Sequence, residues 1–180
     1  MFSLKVDDEI ELGLFEVKQA PTLFALVDQN REYLREWLPW LDANTSVEDT
    51  KTFIKGALQQ FAENNGFQAG IWYKGELAGT IGFHYVHWVT GRTEIGYWLG
   101  KNHEGHGIMT RATRKLVEYA FNDLGLNRVE IRCATGNHKS RAIPERLGFT
   151  REGTLRQVFR NYDQLFDIVV YGMLAGEWGK

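Results

Sequence analysis

Residues 100–110 read Gly100-Lys101-Asn102-His103-Glu104-Gly105-His106-Gly107-Ile108-Met109-Thr110, a polar, glycine-bearing stretch that runs into a helix-forming segment. A helix begins with backbone N–H groups that lack partners, and its dipole adds partial positive charge at that end. Gly105 and Gly107 have no Cβ to keep a ligand away from the backbone. Together these features describe a cradle for an anion of diphosphate size. An ordinary strand-to-helix turn that happens to use two glycines is the competing reading. Other phosphate loops fit poorly. No Lys-Ser/Thr pair follows the glycines, as a nucleoside-triphosphate loop requires. Thr110 stands where a dinucleotide fingerprint has its third glycine. His103 and His106 have too few companion ligands for a metal, so none is expected.

Spacing elsewhere indicates the elements that would carry such a loop. Glu9 to Val17 alternates apolar and polar residues as a first strand does. Ala20 to Trp37 reads as a helix that Pro39 ends. Ser46-Val47-Glu48-Asp49 resembles a capping box, followed by Phe53, Ala57, Leu58 and Phe61 on one helical face, with Asn64-Asn65-Gly66 as the stop. Phe67–Tyr73, Glu76–Val86 and Thr93–Leu99 read as three adjacent antiparallel strands, with Lys74-Gly75 and Thr90-Gly91-Arg92 as turns. After the loop come a helix from Ile108 to Asp123, a strand from Arg128 to Ala134, and a short helix from Lys139 to Leu147 despite Pro144. Phe149–Phe159 and Leu165–Leu174 make a final antiparallel pair. Strands and helices interleave in this way in a mixed sheet of an α+β domain.

The chain has 180 residues, 43% of them apolar, with six tryptophans. That suits a single domain over 1–180 with a substantial core. A formal net charge of −2 argues against a nucleic-acid binder. The apolar runs are too short to span a membrane, and the acidic start lacks a signal-peptide core, so a cytoplasmic protein is expected. The single cysteine, Cys133, alternates with Val129 and Ile131 and reads as a packing residue rather than a nucleophile. His84 and His87, three apart on a strand, would face opposite sides, which argues against a metal pair.

Four segments occur in a fixed order: Glu94-Ile95-Gly96-Tyr97-Trp98-Leu99-Gly100, the double-glycine loop, Asn137-His138-Lys139-Ser140, and Leu147-Gly148-Phe149. With them the chain resembles the GNAT superfamily of N-acetyltransferases. Leu34-Arg35-Glu36-Trp37-Leu38-Pro39-Trp40 adds similarity to its RimJ/RimL subfamily, which acetylates the N-termini of ribosomal proteins. The resemblance runs over nearly the whole chain. It implies a central, mostly antiparallel, twisted mixed sheet flanked by helices, with Thr93–Leu99 and Arg128–Ala134 splayed apart. Acetyl-CoA would lie in that notch, its pantetheine arm along Tyr97, Trp98 and Leu99. Its pyrophosphate would meet the N–H groups of His103, Glu104, Gly105, His106, Gly107, Ile108, Met109 and Thr110. Family members often carry Arg or Gln three residues before the first loop glycine. Asn102 stands there instead, which weakens a side-chain phosphate contact but not the backbone cradle.

The same resemblance suggests roles in direct attack by an amine on the thioester within a ternary complex. Such attack needs a base, or an ordered water chain, for the amine proton and a donor for the thiolate. Glu94 is the candidate base, or alternatively a salt-bridged surface residue with Arg92 as its partner. Ser140 is the candidate donor, or alternatively a helix cap. The tyrosine that many relatives place four residues before the Gly-Phe pair is Pro144 here. Asn137 is expected on the pantetheine arm, or as a turn residue. Lys139 and Arg141 would reach the phosphates or form a solvated face. Trp37, Trp40, Phe83, Tyr85 and Trp88 would wall the acceptor site or pack in the core. The acceptor would be a protein N-terminus. A small amine is the alternative, and a non-catalytic acyl-CoA sensor is a third possibility. Family habit suggests a homodimer or larger homo-oligomer.

Overall fold

A computed structural model describes residues 2–179. The elements in chain order are β1 (Ser3–Lys5), β2 (Ile10–Leu14), α1 (Ala20–Gln29), α2 (Arg31–Arg35), α3 (Val47–Ala62), β3 (Gln68–Tyr73), β4 (Glu76–His87), β5 (Arg92–Leu99), α4 (Ile108–Glu118), β6 (Arg128–Ala134), α5 (His138–Arg146), β7 (Thr150–Asn161) and β8 (Gln164–Leu174). The strands form one eight-stranded sheet in the order β1-β2-β3-β4-β5-β6-β8-β7. Only β5 and β6 run parallel. They pair from Arg92↔Arg128 to Ile95↔Ile131 and no further. Beyond that point β5 stays with β4 as far as Leu99, and β6 stays with β8 as far as Ala134. The two middle strands therefore diverge and leave a notch in the sheet.

Each face of the sheet buries its own core. On one face Ile71, Ile81, Phe83, Ile95, Val129 and Ile131 meet Ile108, Ala112 and Leu116 of α4. On the other, Phe15 and Leu77 meet Leu23, Val27, Leu34 and Ile54 from α1, α2 and α3. Burying one such side chain contributes roughly 1.5–3 kcal/mol.

Several local expectations are corrected. The stretch read as one helix to Trp37 breaks at Asn30, which leaves helical geometry at φ −113° and ψ 11°. Its side-chain amide donates to Leu26 O, and its Oδ1 accepts the Lys101 N–H. The break thus ties α1 to the start of the glycine loop. On α3 the buried positions are Thr50, Ile54 and Ala57, while Phe53 and Phe61 are exposed. A bulge in β4 between Phe83 and Val86 shifts the alternation, so His84 and His87 lie on the same face of the sheet.

Candidate active site

The glycine loop leaves β5 through a short 3₁₀ turn, Lys101–His103, and enters α4 at Gly107. Gly105 and Gly107 have φ of +80° and +67°, and a Cβ on either would project into open space. Their lack of side chains therefore serves left-handed turns and keeps the approach to the helix start clear. No side chain caps α4, and the first backbone bond back into the turn comes from Arg111 N–H to Gly107 O. Ile108 and Met109 have buried side chains, so what they offer the loop is their N–H groups.

A cavity of about 700 Å³ opens on this loop. Its lining includes Tyr97, Trp98, Leu99, His103, Glu104, Gly105, Gly107, Ile108, Met109, Thr110, Asn137, Lys139 and Ser140, the residues singled out in the sequence for the cofactor apart from one. His106 is the exception, because it turns away and stacks on Tyr73. Asn102 does not line the cavity, nor does Arg141, which donates to Thr135 O and Tyr171 Oη. Arg146 was missed in the sequence. It lines the cavity and donates to Thr110 Oγ1 at 2.7 Å. Lys139 is paired with Glu104 at 2.8 Å, and Tyr33 also donates to that carboxylate. Bare Cα atoms, uncapped amides and flanking cations together suit a diphosphate.

Ser140 is not the helix cap. Asn137 is, its Oδ1 accepting the Ser140 N–H at 3.1 Å. Asn137 keeps its amide N–H groups for another acceptor. The Ser140 hydroxyl lies 3.3 Å from Cys133 Sγ. Burial pushes that thiol up to about 11, so it remains protonated at neutral pH, as a packing cysteine does. The Tyr97 hydroxyl, also pushed well up by burial, donates to Ser140 O at 2.9 Å.

A second cavity, about 980 Å³, lies on the opposite side of the notch. Trp37, Leu38, Tyr97, Trp98, Asn137 and Ser140 border both cavities and form the passage between them. Trp37 and Trp40 line the second cavity, together with Phe53, Val158 and Phe159, which sequence reading did not assign. Asn161 helps hold that wall by donating to the carbonyls of Arg35 and Glu36. Phe83 is fully buried against Phe67 on the α4 face, and neither it nor Tyr85 lines the cavity. Trp88 is outside as well, its indole N–H donating to Asn64 O. Phe83 shares its inward face with Ile81 by plain alternation, and the bulge that follows turns Val86 inward as well.

Glu94 lines this second cavity. Its ion-pair partner is Arg132 at 3.4 Å rather than Arg92, which faces Glu130. Burial raises the Glu94 carboxyl above the usual range, opposed first by His84 and then by Arg132. His84 and Arg132 line the same cavity. Among the described residues, no three His, Cys, Asp or Glu side chains gather to hold a metal ion. No helix among them is long and apolar enough to cross a membrane.

The model of the acetyltransferase (GNAT) domain family matches residues 10–150. The "Putative ribosomal N-acetyltransferase YdaF" of Bacillus subtilis (strain 168) is 44% identical over 180 residues, covering 99% of this chain and 98% of its own. The "Ribosomal-protein-serine acetyltransferase" of Escherichia coli (strain K12) is 28% identical over 172 residues, 96% of each chain. Among solved structures, the microcin C7 self-immunity acetyltransferase MccE, in complex with acetyl-CoA and AMP, superposes with a TM-score of 0.91 at 31% identity and 95% coverage of both chains. RimL, a ribosomal L7/L12 alpha-N-protein acetyltransferase in complex with coenzyme A, gives 0.93 at 26% identity, covering 96% of this chain and 98% of its own. With a parted parallel strand pair, an uncapped double-glycine turn and a family match across most of its length, the chain belongs to the GNAT family of acetyltransferases.

Proposed function

We propose that this enzyme transfers the acetyl group of acetyl-CoA to the N-terminal α-amine of a protein, of the ribosomal-protein type. The observation that carries this reading is the second cavity. At about 980 Å³, walled by Trp37, Trp40, Phe53 and Phe159, it has room for a chain end. The names of the B. subtilis and E. coli relatives support the same class of acceptor.

Acetyl-CoA supplies an activated acyl group on a good leaving sulfur. The amides at the start of α4, with Arg146 and Lys139, hold the diphosphate. The edge of β5 from Gly96 to Leu99, free of β6, takes the pantetheine arm, with the spare amide of Asn137 beside it. Acceptor and thioester meet at the passage between the cavities, and holding them there supplies much of the acceleration. Ser140, on that passage, is placed to hydrogen-bond the leaving sulfur or to pass it a proton through water. The amine gives up its proton on the wall that carries Glu94.

A second reading is favoured by the aromatic walls and by the MccE likeness: a small amine that bears a planar ring. Thiol release from acetyl-CoA, measured with a panel of N-terminal peptides, ribosomal proteins and small amines, separates the two. Higher kcat/KM on peptide or protein N-termini is expected. Turnover confined to small amines would overturn the peptide reading.

A further inference from the structure

The bulge in β4 sets two residues, His84 and Tyr85, opposite the single Glu94 of β5. Four side chains brace the backbone it releases. The Gln60 and Gln68 amides donate to Phe83 O at 2.9 and 3.2 Å, and Gln60 also donates to His84 O at 3.1 Å. The buried Thr93 hydroxyl donates to Tyr85 O at 2.6 Å, and Asn65 Oδ1 accepts the Val86 N–H at 3.1 Å. His84 takes the face opposite Phe83 by plain alternation, and the braced bulge fixes the backbone that carries it. A Cβ built on Gly96 would stand 1.9 Å from His84 Nε2, so the ring lies directly over Gly96. Gly96 is the first residue of β5 past the last β5–β6 pair. The imidazole thus covers the point where the notch opens, and it lines the acceptor cavity. Glu94 of β5 and Arg132 of β6 line the cavity with it, and Glu130 is paired with Arg132. The neighbouring elements α3 and β3 present the uncharged amides of Gln60 and Gln68, and Asp49 at the start of α3 also lines the cavity.

We propose that His84 is the base that takes the proton from the attacking amine, and that Glu94 is a positioning residue that holds the resulting imidazolium charge. This rests on the reading that the amine enters through the larger cavity. An amine arriving as ammonium first loses one proton to solvent. Its nitrogen then bonds to the acetyl carbonyl carbon, and the carbon–sulfur bond breaks with its electron pair on sulfur. The remaining excess proton on nitrogen passes to Nε2. The sulfur is protonated from the Ser140 side of the passage or by water. His84 is exposed, so the imidazolium returns its proton to water.

A positioned general base contributes about 10²–10⁴-fold. His84→Gln should therefore lower kcat about 100-fold and remove the acidic limb of the pH profile, where activity rises as the base loses its proton. Calorimetric affinity for acetyl-CoA should stay within about twofold. His84→Ala should regain activity with added imidazole, a response that a merely structural role would not give. Glu94→Gln should keep the limb and lower kcat, because the imidazolium then lacks its counter-charge. In the coenzyme A complex, the His84 ring-proton resonance should shift on addition of an N-terminal peptide. A His84→Gln enzyme with the wild-type limb and undiminished kcat would overturn the proposal. Wild-type turnover on small amines alone would overturn the peptide reading, and the His84 comparison would then be made on the small amine. Acetyl-CoA binding without turnover on any amine would overturn both.

Discussion

At the scale of single residues, Glu104 is the side chain most at odds with its setting. It places a carboxylate in a loop whose uncapped helix start suits negative charge. Burial works to raise its pKa, but the hydrogen bonds from Lys139 and Tyr33 outweigh that and hold it below the usual carboxylate range. It is therefore ionised at neutral pH, where it pairs with Lys139, the lysine proposed to hold the phosphates. Glu104→Gln should release Lys139 and tighten coenzyme A binding about 3–10-fold by calorimetry, in keeping with about 1 kcal/mol for a partly exposed charge pair. Weaker binding would show instead that the ion pair positions the lysine. Glu104 was legible as part of the loop. Its contact with Tyr33, 71 positions away, was not, because such contacts depend on how α2 packs over the loop.

At the scale of elements, α5 shows how an apparent fault is absorbed. Pro144 has no N–H to give Ser140 O, the carbonyl four residues earlier. Tyr97 of β5 supplies the missing donor at 2.9 Å. The bond joins α5 to β5 at the passage between the cavities. Tyr97→Phe should cost about 1–3 kcal/mol in urea unfolding, because it strands a half-buried carbonyl. In a Pro144→Ala background the helix regains its own donor, so the same substitution should cost less. Equal costs in both backgrounds would deny the exchange. Helix α5 was readable from Lys139 to Leu147 through the proline. The break at Asn30 and the bulge after Phe83 were not readable, since contacts with distant segments sustain both.

At the scale of the whole molecule, the acceptor side of the sheet carries a layer of charge across three strands. Glu130 is at its centre, 5% exposed, with Arg132 at 2.9 Å and Arg128 at 3.0 Å. Burial works to raise its pKa, and the two arginines outweigh it, holding the carboxyl below its ordinary 4.5. A depressed carboxyl stabilises the fold above its unfolded value and loses that contribution as pH falls through the folded one. Glu130→Gln should therefore cost about 1–3 kcal/mol at pH 7 by urea unfolding. The gap between wild type and variant should narrow as pH drops below 4.5. A gap independent of pH would mean that the arginines do not hold the charge.

Local physics alone determined most of the strand and helix order, though not β1 or the break between α1 and α2, together with the glycine-bearing helix start and the family resemblance. Glycine conformation, helix-end amides and apolar periodicity act over a few residues, and so they are written in consecutive positions. Only the tertiary structure decided which side chains line the second cavity. The register of β4 put Phe83 on the face of Ile81 and His84 on the other, the bulge after Phe83 turned Val86 inward, and Glu94 found its arginine on the neighbouring strand rather than two residues away. Those outcomes turn on strand register, which is set by packing between segments far apart in the chain.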